Sequence, residues 1–328
     1  MWMSFHIYYY GDTNLALLGL VAPLVRSLLS AGRIERFFFI RYSLGGPHIR
    51  LRLRTYPELA VEVNESVRKG ALDFFARWPS NEELGPNLAL YGPVLQPNNS
   101  LESALFDPEV ERYGGSARII DSFDFFSVSS VEVLDALAKS HREPWSRQLP
   151  LIFCMLLSQA LGFSRSEVEF LETLDYMSAF QSDLGGRIAQ RAEDALSGRR
   201  ESLFKLFRDE TARNLAAGAL GTVLAEAARR LSDRNKSLNG PARRLIHASQ
   251  MHMTANRLGL KNGEEVYLGL LLKRTGQELS GADPSFRDLL RRFMAFSGVE
   301  ESDGIGLGNL MTVCLSSFAS SRRVCDFC

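Results

Sequence analysis

The chain of 328 residues contains few cysteines, and their arrangement is not that of a disulfide-rich protein. Cys154 and Cys314 lie in apolar runs, where a free cysteine packs as a small hydrophobic residue. Cys325 and Cys328 form a single C-x-x-C pair at the C-terminal end, without the second pair or the nearby histidines that would complete a zinc site. We therefore expect a reduced, cytoplasmic protein without a metal, in which this pair belongs to an exposed tail.

An excess of charge of either sign is also absent. Lysine plus arginine and aspartate plus glutamate both number 38, so the formal net charge is zero. Proteins that bind nucleic acid or anionic lipid through their overall charge carry a basic excess. The balance argues against direct nucleic-acid binding, and any anion site must be local.

Long hydrophobic runs and cofactor motifs are missing as well. The longest apolar stretch, Leu15–Val25, is interrupted by Pro23 and is shorter than the roughly 20 residues that a bilayer span needs. No secretory leader precedes it, and neither a phosphate-binding glycine loop nor a histidine–carboxylate ligand pattern occurs. We expect no membrane span and no bound cofactor.

The N-terminal part alternates strand and helix signals. Runs rich in aromatic and aliphatic residues predict strands at 2–10, 35–42 and 48–54, with helices near 13–30 and after Pro57. The segment 87–95 is a candidate fourth strand. The resulting order, β-α-β-β-α-β, is that of a ferredoxin-like sheet.

The C-terminal half has the spacing of successive amphipathic helices. We predict that Ser130 caps the first of them. Further helices are predicted at 146–161, 164–195, 200–231, 242–258, 263–275 and 284–296. The expected fold class is α+β, with a sheet-containing region over 1–127, a helical region over 128–300 and a loosely structured tail over 301–328.

The stretch HIRLRLR at 48–54 places a row of cations on one face of the third predicted strand. Because side chains alternate across a strand, His48, Arg50, Arg52 and Arg54 share one face and the aliphatic residues share the other. Such a row is commonly no more than a solvated sheet face. Here, however, the charged residues are all arginine, which suits bidentate carboxylate binding, and no acidic residue alternates with them. A local anion site is the functional interpretation.

Two shorter patterns add candidates for chemistry. Glu109 and Arg112 in DPEVERYGG have the spacing of a surface ion pair, or of an arginine oriented by its carboxylate neighbour. His252 and Asn256 in QMHMTANRL share one helix face, and an imidazole titrates near neutral pH. His247, on the same predicted helix, is a competing acid–base candidate.

Taken in order, FFIRY, GGPHIRLR, PEVERYGG and HMTANRL resemble the C-terminal elimination domain of lantibiotic dehydratases, also described as the thiopeptide-type bacteriocin biosynthesis domain. The resemblance extends from Trp2 to about Phe296. In that family, a tRNA-dependent glutamylation domain esterifies Ser or Thr side chains of a ribosomally made precursor peptide. The elimination domain then removes glutamate, which leaves dehydroalanine or dehydrobutyrine. The sequence has no counterpart of the glutamylation domain, so the resemblance implies the stand-alone half of a split dehydratase with a separate glutamylation protein as its partner.

The resemblance also implies roles for individual residues. The implied catalytic residues are Arg50, Arg52, Arg112 and His252. The resemblance also places Glu109 beside Arg112, but it gives no role to Arg54. From their positions in the sequence, we expect Glu109, Arg54, His48 and Asn256 to contact the substrate. The imidazole would act as acid and base, while the arginines would stabilise developing charge and hold the glutamyl carboxylate. Two alternatives stay open: a pyridine synthase-like enzyme that joins two dehydroalanines by a formal (4+2) cycloaddition, and a non-catalytic subunit that binds the precursor peptide.

Overall fold

The computed structural model describes residues 1–85, 88–176, 185–216, 222–296, 314–316 and 318. The chain forms two compact units. The sheet unit comprises Met1–Pro108, Ser130–Arg142 and Thr312–Cys328, and the helical unit comprises Glu109–Ser129 and Glu143–Met311. The predicted tail at 301–328, including its C-x-x-C pair, lies outside the described residues except for 314–316 and 318.

The sheet unit is built on an antiparallel sheet of four strands. They are β1 (Trp2–Tyr8), β2 (Arg36–Tyr42), β3 (His48–Arg54) and β4 (Ser100–Ala104). Their order across the sheet is β2-β3-β1-β4, so each helical crossover passes over one intervening strand. This is the split βαβ arrangement of a ferredoxin-like sheet. The predicted α+β class is therefore confirmed.

The first crossover is one helical segment in three parts. α1 (Thr13–Ala16) leads into a π-helical turn (Leu17–Val21) and then into α2 (Ala22–Ser30). Asp12 caps the start by accepting a hydrogen bond from the backbone N–H of Asn14 at 2.8 Å. The wide turn comes just before Pro23, which has no amide hydrogen and whose ring crowds the preceding turn of a regular helix. The helix is therefore irregular next to Pro23, in the form of a π turn.

The second crossover, α3 (Ala60–Arg77), shows which face of the sheet the helices cover. Arg68 of α3 donates a hydrogen bond to the hydroxyl of Ser103 in β4 at 3.3 Å, and Ser103 pairs with Phe5 of β1. Opposite residues in an antiparallel pair share a face, so α3 lies on the Phe5 side. That side carries the apolar core of the sheet. Its residues on β1 and β3, none more than 1% exposed, are Phe5, Ile7, Ile49, Leu51 and Leu53.

The helical segment Thr13–Ser30 is also the one stretch of the described chain that meets the length and composition criteria for a membrane-crossing helix. Its mean hydropathy is 1.5 over 18 residues, and 44% of it is buried in the fold. Leu17, Val21 and Val25 are fully buried in the core of the sheet unit. The sequence analysis predicted the helix near 13–30 but judged its capacity to cross a membrane only from the apolar run Leu15–Val25.

The predicted fourth strand at 87–95 is wrong. Leu88–Tyr91 forms a 3-10 turn, and the fourth strand lies later, at Ser100–Ala104. Leu88, Leu90 and Val94 are 47–66% exposed, so the apolar run does not contribute a buried strand face. The segment SLESA is short and polar, and only its pairing with β1 reveals it as a strand.

The helix predicted to begin at Ser130 begins earlier, as α4 (Ile119–Ser140). Ser130 is not a cap: it lies inside the helix, and its hydroxyl accepts a hydrogen bond from the backbone N–H of Phe39 at 3.3 Å. The serine-rich stretch before it resembles a loop in sequence. However, the Ser127 and Ser129 hydroxyls donate to carbonyls of the preceding helical turn, which satisfies them in the buried helix.

The helical unit follows the predicted pattern with different boundaries. Its further helices are α5 (Trp145–Phe163), α6 (Glu167–Leu174), α7 (Gly185–Ala216), α8 (Val223–Arg234), α9 (Gly240–Leu258), α10 (Asn262–Ala282) and α11 (Pro284–Phe296). α7 is kinked at Arg199, whose backbone is not helical, in the gap predicted between 195 and 200. The single helices predicted over 164–195 and 200–231 are wrong. The first is interrupted because α6 ends at Leu174, and the second because Thr222 caps a new helix by accepting from the backbone N–H of Ala225 at 3.3 Å.

A close approach of two helices requires glycine in the core of the helical unit. At Gly162 of α5, a Cβ atom would lie 2.0 Å from the carbonyl oxygen of Ala225 in α8. No side chain fits at that distance, so α5 and α8 pack backbone against backbone at this point. The next residue, Phe163, is fully buried.

Candidate functional site

The candidate residues lie in two groups, one in each unit. The first group, which we call the cation face, consists of His48, Arg50, Arg52 and Arg54 of β3 with Ser4, His6 and Tyr8 of β1. The register of the two strands places Ser4 opposite Arg52, His6 opposite Arg50 and Tyr8 opposite His48. Because opposite residues share a face, these side chains lie on the side of the sheet away from α3.

Arg52 shows that the cation face is not an ordinary solvated sheet face. Its side chain is only 6% exposed, and its Nη1 atom has no hydrogen-bond partner among the described residues. Its guanidinium carbon lies 5.4 Å from the centroid of the Phe106 ring. Burial, and then the charge of Arg50, lower the pKa of Arg52 to about 10, so it remains a cation at neutral pH. A buried cation without a paired carboxylate is costly, which makes Arg52 a candidate for binding an anion.

Arg50 is held in place by its neighbours. Its guanidinium carbon lies 3.5 Å from the centroid of the Tyr42 ring, and its Nε donates to Nε2 of His48 at 3.2 Å. Because arginine can only donate, the His48 proton resides on Nδ1, which donates to the carbonyl of Gly46 at 2.8 Å. Gly46 has a φ of 107°, and a Cβ there would lie 2.5 Å from the Tyr10 hydroxyl. The Gly-Gly-Pro turn thus positions His48, and His48 positions Arg50.

The His48 imidazole is neutral at neutral pH. Burial lowers its pKa to about 4; the charges of Arg50 and Arg52 act in the same direction, and the hydrogen bond to Gly46 acts in the opposite one. A neutral ring that accepts from one arginine and donates to the backbone orients that arginine. We therefore treat His48 as a positioning residue for Arg50.

Arg54 differs from the other two arginines of β3. Its Nε donates to a carboxylate oxygen of Glu35 at 2.8 Å, so it has a partner of opposite charge beside it. Neither Arg50 nor Arg52 forms such an ion pair within the described part of the chain. Of the three, Arg54 has the most evident structural role.

His6 is a member of the cation face that the sequence analysis missed. Its ring centroid lies 4.9 Å from that of His48, and its Nε2 is buried without a partner among the described residues. Burial, and then the neighbouring side chains of His48, Arg52 and Arg50, lower the pKa of His6 to about 3. The alternation in WMSFHIYYY shows which residues share its face. Only the pairing of β1 with β3 shows that this is the arginine face.

The second group lies on α9 of the helical unit, which ends at the predicted residue 258 and begins two residues before the predicted 242. Asn239 accepts from the backbone N–H of Ala242 at 2.9 Å, and Pro241 occupies the first turn. Gly259, with a φ of 84°, terminates the helix in the left-handed conformation that glycine adopts without strain. The residues HMTANRL therefore form the last turns of α9.

His252 is paired with a buried carboxylate from the next helix. Its Nδ1 lies 3.0 and 3.1 Å from the two carboxylate oxygens of Glu265 in α10. Glu265 is 3% exposed and the His252 side chain is 29% exposed. A carboxylate on Nδ1 retains the ring proton there, so Nε2 is the atom that can accept a substrate proton. The sequence analysis did not identify Glu265, since the spacing between the two residues matches no local pattern.

The Glu265 carboxylate also lies beside Tyr176. Burial, and then the charge of Glu265, raise the pKa of Tyr176 well above its ordinary value. The tyrosine is therefore a neutral neighbour of the carboxylate at all physiological pH values.

Arg112 is brought to the same helix as His252. It lies in a 3-10 turn (Glu111–Tyr113), with Nη1 2.9 Å from a carboxylate oxygen of Glu109, the ion pair expected from the sequence. Its Nε donates to the hydroxyl of Ser249 at 3.0 Å. Ser249 precedes His252 by one turn of α9. The positions of Arg112 and His252 are therefore both fixed relative to helix α9.

Of the other candidates on α9, His247 is a core residue. It is 5% exposed, its ring stacks on Phe163 with centroids 4.3 Å apart, and burial lowers its pKa to about 3. Asn256 is half-buried and lies one turn after His252, as its spacing predicts. These positions favour His252 over His247 as the group that exchanges a proton with a substrate.

The helical unit also contains an open cleft of about 980 Å³. Side chains of α5, α7 and the start of α10 line it, among them Trp145, Arg191 and Tyr267. Within the described ranges, no group of three or more histidine, cysteine, aspartate or glutamate side chains is arranged to hold a metal ion.

Comparison with known proteins identifies the family. The family model described as the C-terminal part of lantibiotic biosynthesis dehydratase matches residues 2–275. A search of curated proteins finds no match. The solved structure of TbtD, a pyridine synthase from thiomuracin biosynthesis, is 20% identical with a TM-score of 0.67, and the match covers 85% of this chain and 99% of that one.

Two further solved structures share the fold. The tRNA-dependent lantibiotic dehydratase MibB from Microbispora sp. 107891 is 20% identical with a TM-score of 0.65, and the match covers 86% of this chain but only 28% of MibB. TsrL is 17% identical with a TM-score of 0.58, and the match covers 89% of this chain and 98% of that one. The description of the matching family model connects the chain with lantibiotic biosynthesis. Since this match extends over most of its length, the chain belongs to the lantibiotic biosynthesis dehydratase C-terminal family.

Proposed function

We propose that the protein is a lyase that eliminates glutamate from glutamylated Ser or Thr side chains of a ribosomal precursor peptide. The products are dehydroalanine or dehydrobutyrine and free glutamate. The observation that carries the proposal is the state of Arg50 and Arg52, two permanent cations without a paired carboxylate among the described residues, one of them almost fully buried. A reaction that binds one carboxylate and releases another requires such cations.

In this mechanism, His252 is the base. Its Nε2 takes the Cα proton of the glutamylated residue, the electron pair forms the Cα–Cβ double bond, and the Cβ–O bond breaks so that glutamate leaves as a carboxylate. Glu265 holds the other ring nitrogen and stabilises the imidazolium that forms. General base catalysis of this kind typically contributes about 10²–10⁴ in rate.

Arg112 stabilises the charge that develops during proton removal. As the Cα proton leaves, negative charge accumulates on the oxygen of the adjacent amide. Arg112 is held by Glu109 and Ser249 at the helix that carries His252, so its orientation does not depend on the substrate. A preorganised cation pays little reorganisation cost in the transition state.

Arg50 and Arg52 bind the glutamyl group. The esterified glutamate keeps a side-chain carboxylate, and its ester oxygen becomes part of a second carboxylate as it leaves. Guanidinium groups match carboxylates with two parallel hydrogen bonds, and they cannot lose their charge at neutral pH. The hydrogen bond from Arg50 Nε to His48 Nε2 fixes the orientation of the Arg50 guanidinium group.

The partners follow from the chemistry. The substrate is a peptide that already carries glutamate esters, so a glutamylation protein must act first, and the resemblance makes a tRNA-dependent one the proposed partner. MibB is by its description a tRNA-dependent dehydratase of which this chain spans about a quarter. In our proposal the protein therefore works with a separate glutamylating partner on one precursor peptide, in the reducing interior of the cell.

The experiment is a single-turnover assay with a synthetic peptide that carries one glutamylated serine. The wild-type protein is expected to release glutamate and to leave a peptide with one dehydroalanine, both measured by mass spectrometry. The double variant Arg50→Ala/Arg52→Ala should still bind the peptide but leave the ester intact. If the double variant eliminates glutamate as fast as the wild type, the catalytic assignment fails and a peptide-binding role gains support.

A second candidate is a pyridine synthase-like cycloaddition. It is favoured by the match to TbtD, which covers 99% of that protein and so needs no additional domain. A peptide that already carries two dehydroalanines separates the candidates. Formation of a six-membered nitrogen ring from that peptide, without glutamate release in the first assay, would replace elimination by cycloaddition.

A further inference from the structure

Three side chains that differ in charge lie in a row across the sheet. Glu102 of β4 is directly opposite His6 of β1, and His6 is directly opposite Arg50 of β3. Directly opposite side chains in antiparallel strands begin about 5 Å apart on the same face. An acid, an imidazole and a cation therefore follow one another along a line perpendicular to the strands.

The middle member of the row carries no charge. His6 has a pKa lowered to about 3 by burial and by the nearby positive groups, so it is neutral at neutral pH. Its Nε2 is buried and unpartnered among the described residues. The row thus has a negative end at Glu102 and a positive end at Arg50, with one neutral hydrogen-bonding group between them.

The negative end is available to a ligand. Glu102 is exposed, and it forms no ion pair with a lysine or arginine in the described part of the chain. The Glu102 carboxylate acts on the Tyr8 hydroxyl, whose pKa is raised by burial and then by the charge of Glu102. A second and independent sign of a ligand is Arg52, beside Arg50, which is 94% buried with Nη1 unpartnered.

The glutamyl group has the complementary charge pattern. When it is esterified through its α-carboxyl, it keeps an ammonium group at one end and a carboxylate at the other. Hydrogen bonds from an ammonium to a carboxylate, and from a carboxylate to guanidinium groups, are the strong charge-assisted kind. The monoester of a dicarboxylic acid has no ammonium group, so it would bind only to the arginine at the positive end of the row.

We propose that the row Glu102–His6–Arg50 recognises the ammonium and the carboxylate of an ester-linked α-amino acyl group. Glu102 binds the ammonium, Arg50 and Arg52 bind the side-chain carboxylate, and His6 Nε2 makes a hydrogen bond between them. Glu102 and His6 are then specificity residues of the site that the proposed function uses. The inference rests on that function for the choice of the acyl group.

The test compares two small ligands that differ only in the ammonium group, the α-methyl ester of L-glutamate and monomethyl glutarate. Their affinities are measured by isothermal titration calorimetry with the full-length chain. The wild type is expected to bind the amino acid ester about tenfold more tightly, the size of one charge-assisted hydrogen bond. Glu102→Gln should bring the ratio close to one while leaving the affinity for monomethyl glutarate unchanged.

Two further variants complete the test. Glu65→Gln changes an exposed acid on α3, which lies on the other side of the sheet, and should keep the wild-type ratio. His6→Phe keeps a ring beside His48 but removes Nε2, so it should weaken both ligands by the same factor. The inference is overturned if Glu102→Gln keeps the wild-type ratio, or if the wild type binds both ligands equally or neither.

The outcome is separable from that of the elimination assay. If glutamate is released from the esterified peptide but Glu102→Gln keeps the ligand ratio, only the assignment of Glu102 and His6 fails. If the ratio responds as expected but no glutamate is released, the binding site stands and the lyase proposal fails.

Discussion

The Nε of Arg112 donates to the hydroxyl of Ser249 at 3.0 Å, and this contact ties an arginine from an irregular turn to helix α9. His252 lies one turn further along the same helix, and its Nδ1 is hydrogen-bonded to the Glu265 carboxylate. A helix is stiff over such a distance, so the two functional groups keep a constant relation within the helical unit. The predictions below begin with this contact.

Ser249→Ala is expected to slow elimination about tenfold, the effect of losing a hydrogen bond to a charged group. The KM for the glutamylated peptide should change little, because the Arg112 charge stays and only its orientation loosens. Ser237→Ala is a matched control, since Ser237 accepts a hydrogen bond from Arg118 at 2.7 Å in the same unit. An equal effect of both variants on kcat would mean that Ser249 acts through stability alone.

His252→Ala is expected to lower the single-turnover elimination rate by about 10²–10⁴, the usual contribution of a general base. Glu265→Gln keeps an acceptor for the ring proton but loses the charge that stabilises the imidazolium, so its loss should be smaller, on the order of 10². His141→Gln, at the end of α4, is the control histidine. A Glu265→Gln variant with wild-type activity would show that this carboxylate has no part in the reaction.

Arg52→Ala and Arg54→Ala should differ sharply although the residues are two apart on one strand. Loss of the buried Arg52 is expected to cost about 10²–10³ in elimination rate, as for other preorganised charge-stabilising donors. Arg54 is paired with Glu35, so its loss should reduce the rate less than tenfold and act mainly on stability. Thermal unfolding of both variants separates the two effects, and equal rates would contradict the assignment.

The buried His247 makes stability depend on pH. Its pKa is lowered by burial from 6.5 to about 3 in the folded chain, so below pH 6.5 the unfolded chain binds a proton that the folded chain does not. The free energy of unfolding should therefore fall as the pH decreases from 6.5, by up to about 1.4 kcal/mol per pH unit. Above pH 6.5 this residue contributes no pH dependence.

His247→Phe tests this sign, because phenylalanine can keep the stack on Phe163 without titrating. Urea unfolding followed by circular dichroism at pH 7, 6 and 5 should show a smaller loss of stability in the variant than in the wild type. Parallel pH profiles for the two proteins would show that the imidazole already titrates normally in the folded state.

Gly162→Ala is expected to destabilise the helical unit by about 1–3 kcal/mol, because the new Cβ would meet the Ala225 carbonyl oxygen at 2.0 Å. Gly198→Ala is the matched control in α7, where a Cβ would meet nothing within 4 Å. Because Gly198 lies next to the non-helical Arg199, that substitution should change the free energy of unfolding by less than about 1 kcal/mol. Similar melting temperatures for the two variants would contradict the tight packing of α5 on α8.

Several features of the fold and of the candidate site follow from local sequence alone. The alternation in HIRLRLR determines which residues share a strand face, since successive side chains point to opposite sides of any strand. The start of α9 follows from Asn239 and Pro241, and its end from Gly259, through backbone groups within a few residues of each other. The ion pair between Glu109 and Arg112 follows from their spacing in the same way.

Other features were decided only by tertiary structure, because they depend on partners distant in the chain. The polar segment at β4 becomes a strand through its pairing with β1, and the serines of α4 are helical because the helix is buried. The same holds for the site: the carboxylate behind His252, and the alignment of Glu102 and His6 with Arg50, come from helix packing and strand register. A sequence specifies the faces of its own elements, but which faces meet depends on the free energy of burying them together.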